Sequence, residues 1–432
     1  MTRHPKDDKE IRIVAAPDSF KGVLTAPEAA AAIAAGVNAF RRISGRRAVC
    51  VESAMADGGE GTACALASAC GAEEVKVPTF TADMRPLSAS YFIDRSTSTA
   101  FIDLASASGL PLVPPERRDP MRVSTFGTGL LILDAIGRGV RSIIVGAGGS
   151  ATVDGGIGAL QALGCRFYAA GGRIIDSPAG GAMLAEICGI DTSELDRRLS
   201  GISLTIAVDV DAPLTGPRGA AQVFGPQKGA SPEQVKLLET GLNNLKRYFK
   251  HSDCNIKVFV EETEKNADFT EEKPEAGFGA AGGFAGGMAG IAGAVLAPGA
   301  TLVADTTGLA GKLSGASLLI VGEGSADCQT LMNKAPLQAM RIAARMGVPT
   351  ALLAGRVADR RALLAAGFSE VICINDPLAQ LPQSAFDSPL LSSLASASPD
   401  FVASAGGADP LDPSVASRRL ASATLALLSA RL

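Results

Sequence analysis

The chain has 432 residues, 47% of them hydrophobic, and its length supports two or three domains with ample core. A net charge of −4, 4% aromatic residues and no Trp give neither the basic footprint nor the stacking surface of a nucleic-acid binder. Only two histidines, His4 and His251, are present, both in charged segments, which argues against a Ser-His-Asp triad, an H-E-x-x-H site or a multi-histidine metal centre. Acid–base chemistry then falls to Asp, Glu or Lys.

Residues 1–10 read as a solvated tail, and Ile11–Ala16 as a short apolar strand followed by the loop PDSFKG, Pro17–Gly22. Thr25-Ala26-Pro27-Glu28 is a capping box with Pro in the first turn, so a helix should run to about Phe40. Arg47–Ala54 reads as a second strand and ADGGEGT, Ala56–Thr62, as its loop, with a helix over Ala63–Cys70 ending at Gly71. Val75–Pro78 begins a third strand. Thr79–Leu104 reads as two short strands, the better half being Thr99–Leu104, and the Pro- and Ser-rich stretch to Asp119 as irregular.

Gly129–Ile136 should be a helix and Ser142–Val145 a strand. Next comes Gly146–Gly156, GAGGSATVDGG, ahead of a helix over Ile157–Leu163 closed by Gly164. Leu204–Val210 is another strand, carrying Asp209 and Asp211 at its end. GPQKG, Gly225–Gly229, precedes a helix capped by Ser231-Pro232-Glu233. Residues 251–276 are charge-rich and read as a surface insertion. Residues 277–304 carry no charge, a stretch long enough for a membrane span. Gly and Ala dominate them, however, and Pro298 interrupts them, so a packed glycine-rich loop and helix are expected instead.

The last third alternates simply. Strands are expected at Ser317–Val321, Thr350–Ala354 and Glu370–Ile374, and helices at Pro336–Met346, Val357–Ala366 and Pro413–Leu432. GEGSAD, Gly322–Asp327, reads as a loop, and residues 383–399 as Ser-rich and loop-like. Alternation at both ends implies an α/β parallel-sheet domain from residues 10–78 and 302–432, with a second α/β domain, residues 79–301, inserted in it.

Five strand-end loops combine glycine with polar or charged groups. In open α/β sheets, ligands bind beyond the carboxyl ends of strands. PDSFKG offers Asp18, Ser19 and Lys21. ADGGEGT offers Asp57, Gly58, Gly59 and Glu60. The third, GAGGSATVDGG, offers Gly148, Gly149, Ser150 and Asp154. GPQKG offers Gln227 and Lys228, and GEGSAD offers Glu323 and Asp327 with Lys334 beyond. Glycine N–H groups and lysines suit phosphates, while carboxylates suit Mg²⁺. The combination points to phosphoryl transfer without a P-loop, because no Gly-x4-Gly-Lys-Ser/Thr is present. Two other readings compete. Gly146–Ala151 matches G-x-G-x-x-A and Gly277–Gly282 matches G-x-G-x-x-G, with Asp176 roughly twenty residues beyond the first, as an NAD(P) oxidoreductase would have. The other is a Gly/Ala-rich membrane-associated protein.

At these residues the chain resembles the bacterial glycerate kinase family. APDSFKG, ADGGEGT, GGSATVDGG, FGPQKGA (Phe224–Ala230), GAAGG (Gly279–Gly283) and GEG…D…QT (Gly322–Thr330) follow the family's motifs in order, from about residue 11 to 432. It departs from them at Leu130, Val153, Ser325 and Asn333. The resemblance implies a flavodoxin-like domain with a second α/β domain inserted in it. It also implies ATP-dependent phosphorylation of D-glycerate, with ATP and Mg²⁺ as cofactors and a site between the domains. The 2-phosphate product is favoured over the 3-phosphate. Within that reading Lys21 and Lys228 offset phosphate charge. Asp154 is the candidate base, and Asp57 stands beside it as a catalytic candidate. Asp57, Glu60 and Asp327 are candidates for Mg²⁺. The remaining substrate- and phosphate-binding set is Asp18, Ser19, Gly58, Gly59, Glu60, Gly148, Gly149, Ser150, Gln227 and Lys334. Eight scattered cysteines without a C-x-x-C pair, and no signal peptide, add the expectation of a cytoplasmic protein with reduced thiols. No nucleic-acid or membrane partner is expected, and a homodimer is considered.

Overall fold

Short apolar runs near both ends of the chain pair into one parallel sheet in the computed structural model, which describes residues 10–176, 178–249, 275–332, 334–375 and 412–431. The expected tail, the charged insertion over 251–274 and the Ser-rich stretch over 383–399 lie outside the described residues, as do His4, His251 and Asn333. Thirteen strands are found among the described residues. β1 (Ile11–Ala15) and β2 (Ala48–Glu52) come first. β3 (Glu73–Phe80), β4 (Pro86–Asp94), β5 (Thr99–Asp103), β6 (Ser142–Gly146) and β7 (Arg166–Tyr168) follow. β8 (Gly189–Asp191), β9 (Ser203–Val208) and β10 (Val295–Pro298) come next, and β11 (Leu318–Ala326), β12 (Thr350–Val357) and β13 (Glu370–Cys373) close the series.

By packing, the chain divides into two compact units: Met1–Ala56 with Cys64–Ala69 and Val303–Leu432, and Asp57–Ala63 with Cys70–Leu302. The first unit is built on a five-stranded sheet in the order β13-β12-β11-β1-β2, with every pair parallel. Counted in chain order, its strands lie 2-1-3-4-5, the flavodoxin-like arrangement. The direction of strand addition reverses between β1 and β11.

The helix Ala26–Ser44 crosses one face of this sheet. Thr25 caps its start and forms the full capping box with Glu28, while Gly45 ends it at φ +68°. It packs on the helix Pro413–Arg431, and both bury Ile11, Ile13, Leu318, Ile320 and Leu353 of the sheet. Gly36 makes their close approach feasible. A Cβ there would stand 2.5 Å from the Ala421 carbonyl oxygen and 2.6 Å from Thr424 Cβ. Gly36→Ala gains about 1 kcal/mol of helix propensity, yet it must force the helices apart. A net loss of about 1–3 kcal/mol is expected, as for overpacking elsewhere, and chemical denaturation measures it.

The second unit holds a six-stranded sheet in the order β10-β9-β6-β5-β4-β3. β3, β4 and β5 are antiparallel neighbours, whereas β5, β6, β9 and β10 run parallel. Its core joins Tyr91, Ile102, Ile143 and Val145 of the sheet to Leu131, Ile157 and Leu160 of the helices Phe126–Gly137 and Ile157–Ala162. β7 and β8 form a separate antiparallel pair.

Several elements differ from expectation. β3 is longer at both ends because all eight of its residues pair with β4. GEGSA is strand rather than loop. β11 runs on to Ala326 because Ser325 and Ala326 pair in parallel with Arg356 and Val357 of β12. The uncharged stretch after Gly277 folds as turns, the helix Phe284–Gly290, strand β10 and the helix Gly299–Thr306. Among the described residues no helix is long and apolar enough to cross a membrane.

Candidate active site

In the second unit the parallel strands β5, β6, β9 and β10 end at Asp103, Gly146, Val208 and Pro298, along one edge of the sheet. The segment Asp57–Ala63 lies on that edge, backbone against backbone. A Cβ on Gly148 would stand 2.4 Å from Gly59 Cα. Gly58 has φ +102°, and a Cβ on it would stand 3.0 Å from Gly299 Cα. These glycines are required because the chains touch where side chains would otherwise be. ADGGEGT and GAGGSATVDGG, 90 positions apart in places, thus form one surface.

Each turn of that surface is tied by its own side chains. Asp57 Oδ1 accepts from Gly59 N–H at 3.0 Å, and the Thr62 hydroxyl donates to the Gly59 carbonyl at 2.8 Å. Asp103, absent from the sequence-based set, accepts from Gly61 N–H and Ala63 N–H, both at 2.9 Å. Burial pushes its carboxyl up to about 7 against the pull of those two donors, with the Glu60 charge adding to the rise. Its only sequence signal was its place at the end of an apolar strand.

Asp57, Gly58 and Gly59 are buried, whereas Glu60 and Gly149 are exposed and Gly148 is half-buried. Among the described residues no hydrogen bond uses the N–H of Gly148, Gly149 or Ser150, while their neighbours Ala147 and Ala151 donate to Ala207 and Ser108 carbonyls. Three consecutive N–H groups beside glycines, with Gly149 at φ +68°, are what an anion needs.

Two expected site residues take different places. Lys228 is buried, and its Nζ donates to Ser150 Oγ at 2.7 Å and to the Thr152 carbonyl at 2.8 Å. Burial pushes this amine down to about 7, with the Asp154 charge pulling the other way. A side chain so placed braces the glycine loop. Its neighbour Gln227 is exposed.

Asp154 is 0% exposed. Its Oδ2 accepts from the Thr125 N–H at 2.8 Å and the Thr125 hydroxyl at 2.7 Å, and its Oδ1 from Gly156 N–H at 3.1 Å. Burial raises its carboxyl above the ordinary range against those donors. The carboxylate holds the protein's own backbone where the helices Phe126–Gly137 and Ile157–Ala162 begin.

In the first unit, the expected residues gather where β1 and β11 leave the sheet on either side of the reversal, the usual ligand position in this topology. Asp18 N–H donates to the Gly322 carbonyl at 2.8 Å. The Asp18 carboxylate is buried and accepts from Ser19 N–H at 2.6 Å. The Phe20 ring covers Gly322, and Lys21, which is exposed, follows beside Gly324. Buried Glu323 accepts from the Thr330 hydroxyl at 2.6 Å, and Asp327 Oδ1 accepts from Gln329 N–H at 2.8 Å. Lys334 stands at the start of the helix Ala335–Arg345.

Among the described residues no group of three or more His, Cys, Asp or Glu side chains is placed to hold a metal ion. Mg²⁺ needs fewer, since it keeps waters and takes one or two carboxylates together with substrate phosphates. Exposed Glu60 and buried Asp57 in the second unit, and half-buried Asp327 in the first, each carry oxygens of the kind that mode uses.

Residues 13–396 match the family described as the glycerate kinase family. The chain is 40% identical over 346 residues to a glycerate kinase of Haemophilus influenzae, covering 80% of this chain and 86% of that one. It is 40% identical over 350 residues to the glycerate 2-kinase of Escherichia coli K12, covering 81% and 86%. A crystal structure from Salmonella typhimurium LT2, provisionally designated a glycerate kinase 2, superposes with a TM-score of 0.69 at 39% identity, covering 84% of this chain and 90% of that one.

Proposed function

This chain belongs to the glycerate kinase family, a family of phosphotransferases with an alcohol acceptor, and we propose that it transfers the γ-phosphoryl group of ATP to D-glycerate. The observation that carries the reading is the pairing of Asp57–Ala63 with Gly146–Ser150. It offers three undonated N–H groups beside carboxylates on a strand-end surface. Phosphoryl transfer asks the protein mainly for positioning and charge stabilisation. The N–H groups of Gly148, Gly149 and Ser150 would hold phosphate oxygens, with Gly58 and Gly59 keeping the surface flat. Lys21 would neutralise charge on the transferring group, and Lys334 would add a second cation. Asp18, Ser19 and Gln227 would orient glycerate.

In the transfer, the bond from the γ-phosphorus to the ADP oxygen breaks and a bond to a glycerate hydroxyl oxygen forms. The hydroxyl proton passes to a carboxylate, for which we take Asp57, on the strand-end surface, ahead of the buried Asp154. Mg²⁺, when bound, would neutralise phosphate charge, with Glu60 and Asp327 as its protein ligands while Asp57 takes the proton. The 2-phosphate is the favoured product, by analogy with the Escherichia coli relative. Loops of both units serve the reaction in this reading. The proposed setting is the cytoplasm, and a homodimer is the proposed assembly. Phosphorus NMR of purified protein with ATP, Mg²⁺ and D-glycerate tests the reaction and the position phosphorylated. 2-Phosphoglycerate and ADP are expected; no glycerate-dependent ATP consumption overturns the reading.

Lys21→Ala tests the charge assignment. Lys21 is exposed at the end of a strand-end loop, so its loss should leave folding intact. Removing one electrostatic donor typically costs about 10²-fold in kcat. An unchanged kcat/KM for both ATP and glycerate would remove Lys21 from the chemistry.

A further inference from the structure

We infer that Asp103 is a positioning residue for this site, holding the segment Asp57–Ala63 in its working shape from beneath. The inference rests on the reading of that segment as part of the active site. Asp103 ends β5, opposite Gly146 in the register of β6. Its two oxygens point across the strand ends at two alternate N–H groups of the segment, Gly61 and Ala63. Between them lies Thr62, the first residue of the helix Thr62–Cys70, whose hydroxyl turns back to the Gly59 carbonyl. One carboxylate therefore fixes both the end of the glycine turn and the start of the helix.

The space around it is tightly filled. A Cβ on Gly146 would stand 2.8 Å from Asp103 Oδ1 and 3.0 Å from the Gly59 carbonyl oxygen. The carboxylate, the segment and the start of the phosphate-side loop are thus in mutual contact. Moving Asp103 moves Gly59 against Gly148, and with it Asp57 and Glu60. Asp103 itself is 8% exposed and its carboxylate accepts from backbone N–H groups of the segment, so it acts through the backbone it holds.

Asp103→Asn keeps the shape but turns one acceptor into an amide that faces an N–H. Hydrogen exchange of peptides spanning 57–63 should quicken at least tenfold. Misplacement by about 1 Å can cost about 10²-fold in rate, so kcat should fall about 10- to 100-fold while KM changes less. Gly61→Ala is the companion. A Cβ on Gly61 meets nothing within 4 Å, but its φ of +95° is strained for any side chain. It loosens the same turn without touching Asp103, and the same signature is expected.

A folded Asp103→Asn protein with exchange and kcat within twofold of the parent overturns the inference. If that variant does not fold, an unchanged Gly61→Ala protein overturns it instead. A parent without glycerate-dependent activity defeats the functional reading alone, and the exchange of 57–63 in Asp103→Asn still decides the role of Asp103.

Discussion

Asp154→Ala is expected to destabilise the second unit by about 3 kcal/mol or more. Three donors, the Thr125 N–H, the Thr125 hydroxyl and the Gly156 N–H, lose their acceptor in a place that water does not reach. A buried donor left unsatisfied costs about 1–3 kcal/mol. The Thr125 hydroxyl also donates to no other group once its partner is gone, although its oxygen still accepts from Ala159 N–H at 3.0 Å. Asp154→Asn keeps one oxygen, but its amide must face one of those N–H groups. It should therefore cost about 1–3 kcal/mol and not prove neutral, as a simple cap replacement would. A catalytic base behaves differently. Its Asn variant would keep the parent's thermal midpoint and lose about 10²–10⁴-fold in kcat. Measuring both quantities for both variants separates the roles, and a stable, inactive Asn protein would return Asp154 to the chemistry.

The setting of Asp154 shows where the sequence was legible. The helix from Ala26 was readable because Thr25, Pro27 and Glu28 act within one turn of each other. The alternation of β11, β12 and β13 with helices was readable because apolar runs and glycine stops are local signals. Residues 146–156 were readable as a turn between strand and helix, but the depth of Asp154 was not. It depends on Thr125, 29 positions away. Asp103 was hidden for the same reason, since its partners lie 40 and 42 positions earlier. GEGSA was misread because two glycines and a glutamate suggest a turn by composition. The parallel register with β12 overrides that propensity. The short pair β7 and β8 carries too few residues for any periodicity to show.

Lys228 should make the stability of the protein rise with pH above neutrality. Its amine loses its proton near 7 in the folded chain, against an ordinary value of 10.5. Below about 7 both folded and unfolded chains carry the proton, and this group adds no slope. Between about 7 and 10.5 the unfolded chain binds one proton more than the folded chain, so stability increases with pH. One proton corresponds to about 1.4 kcal/mol per pH unit. The geometry accounts for the neutral form, because two N–H groups meet two acceptors, Ser150 Oγ and the Thr152 carbonyl. Lys228→Met keeps most of the stem and removes the titration. It also strands those two acceptors, at a cost the buried ammonium of the parent partly offsets only at low pH. The stability gap between parent and variant should therefore widen from pH 7 to pH 10, followed by urea denaturation at each pH. A gap that stays constant across that range would show that the amine remains charged in the folded chain. Lys228 would then be free to serve as a cation after all.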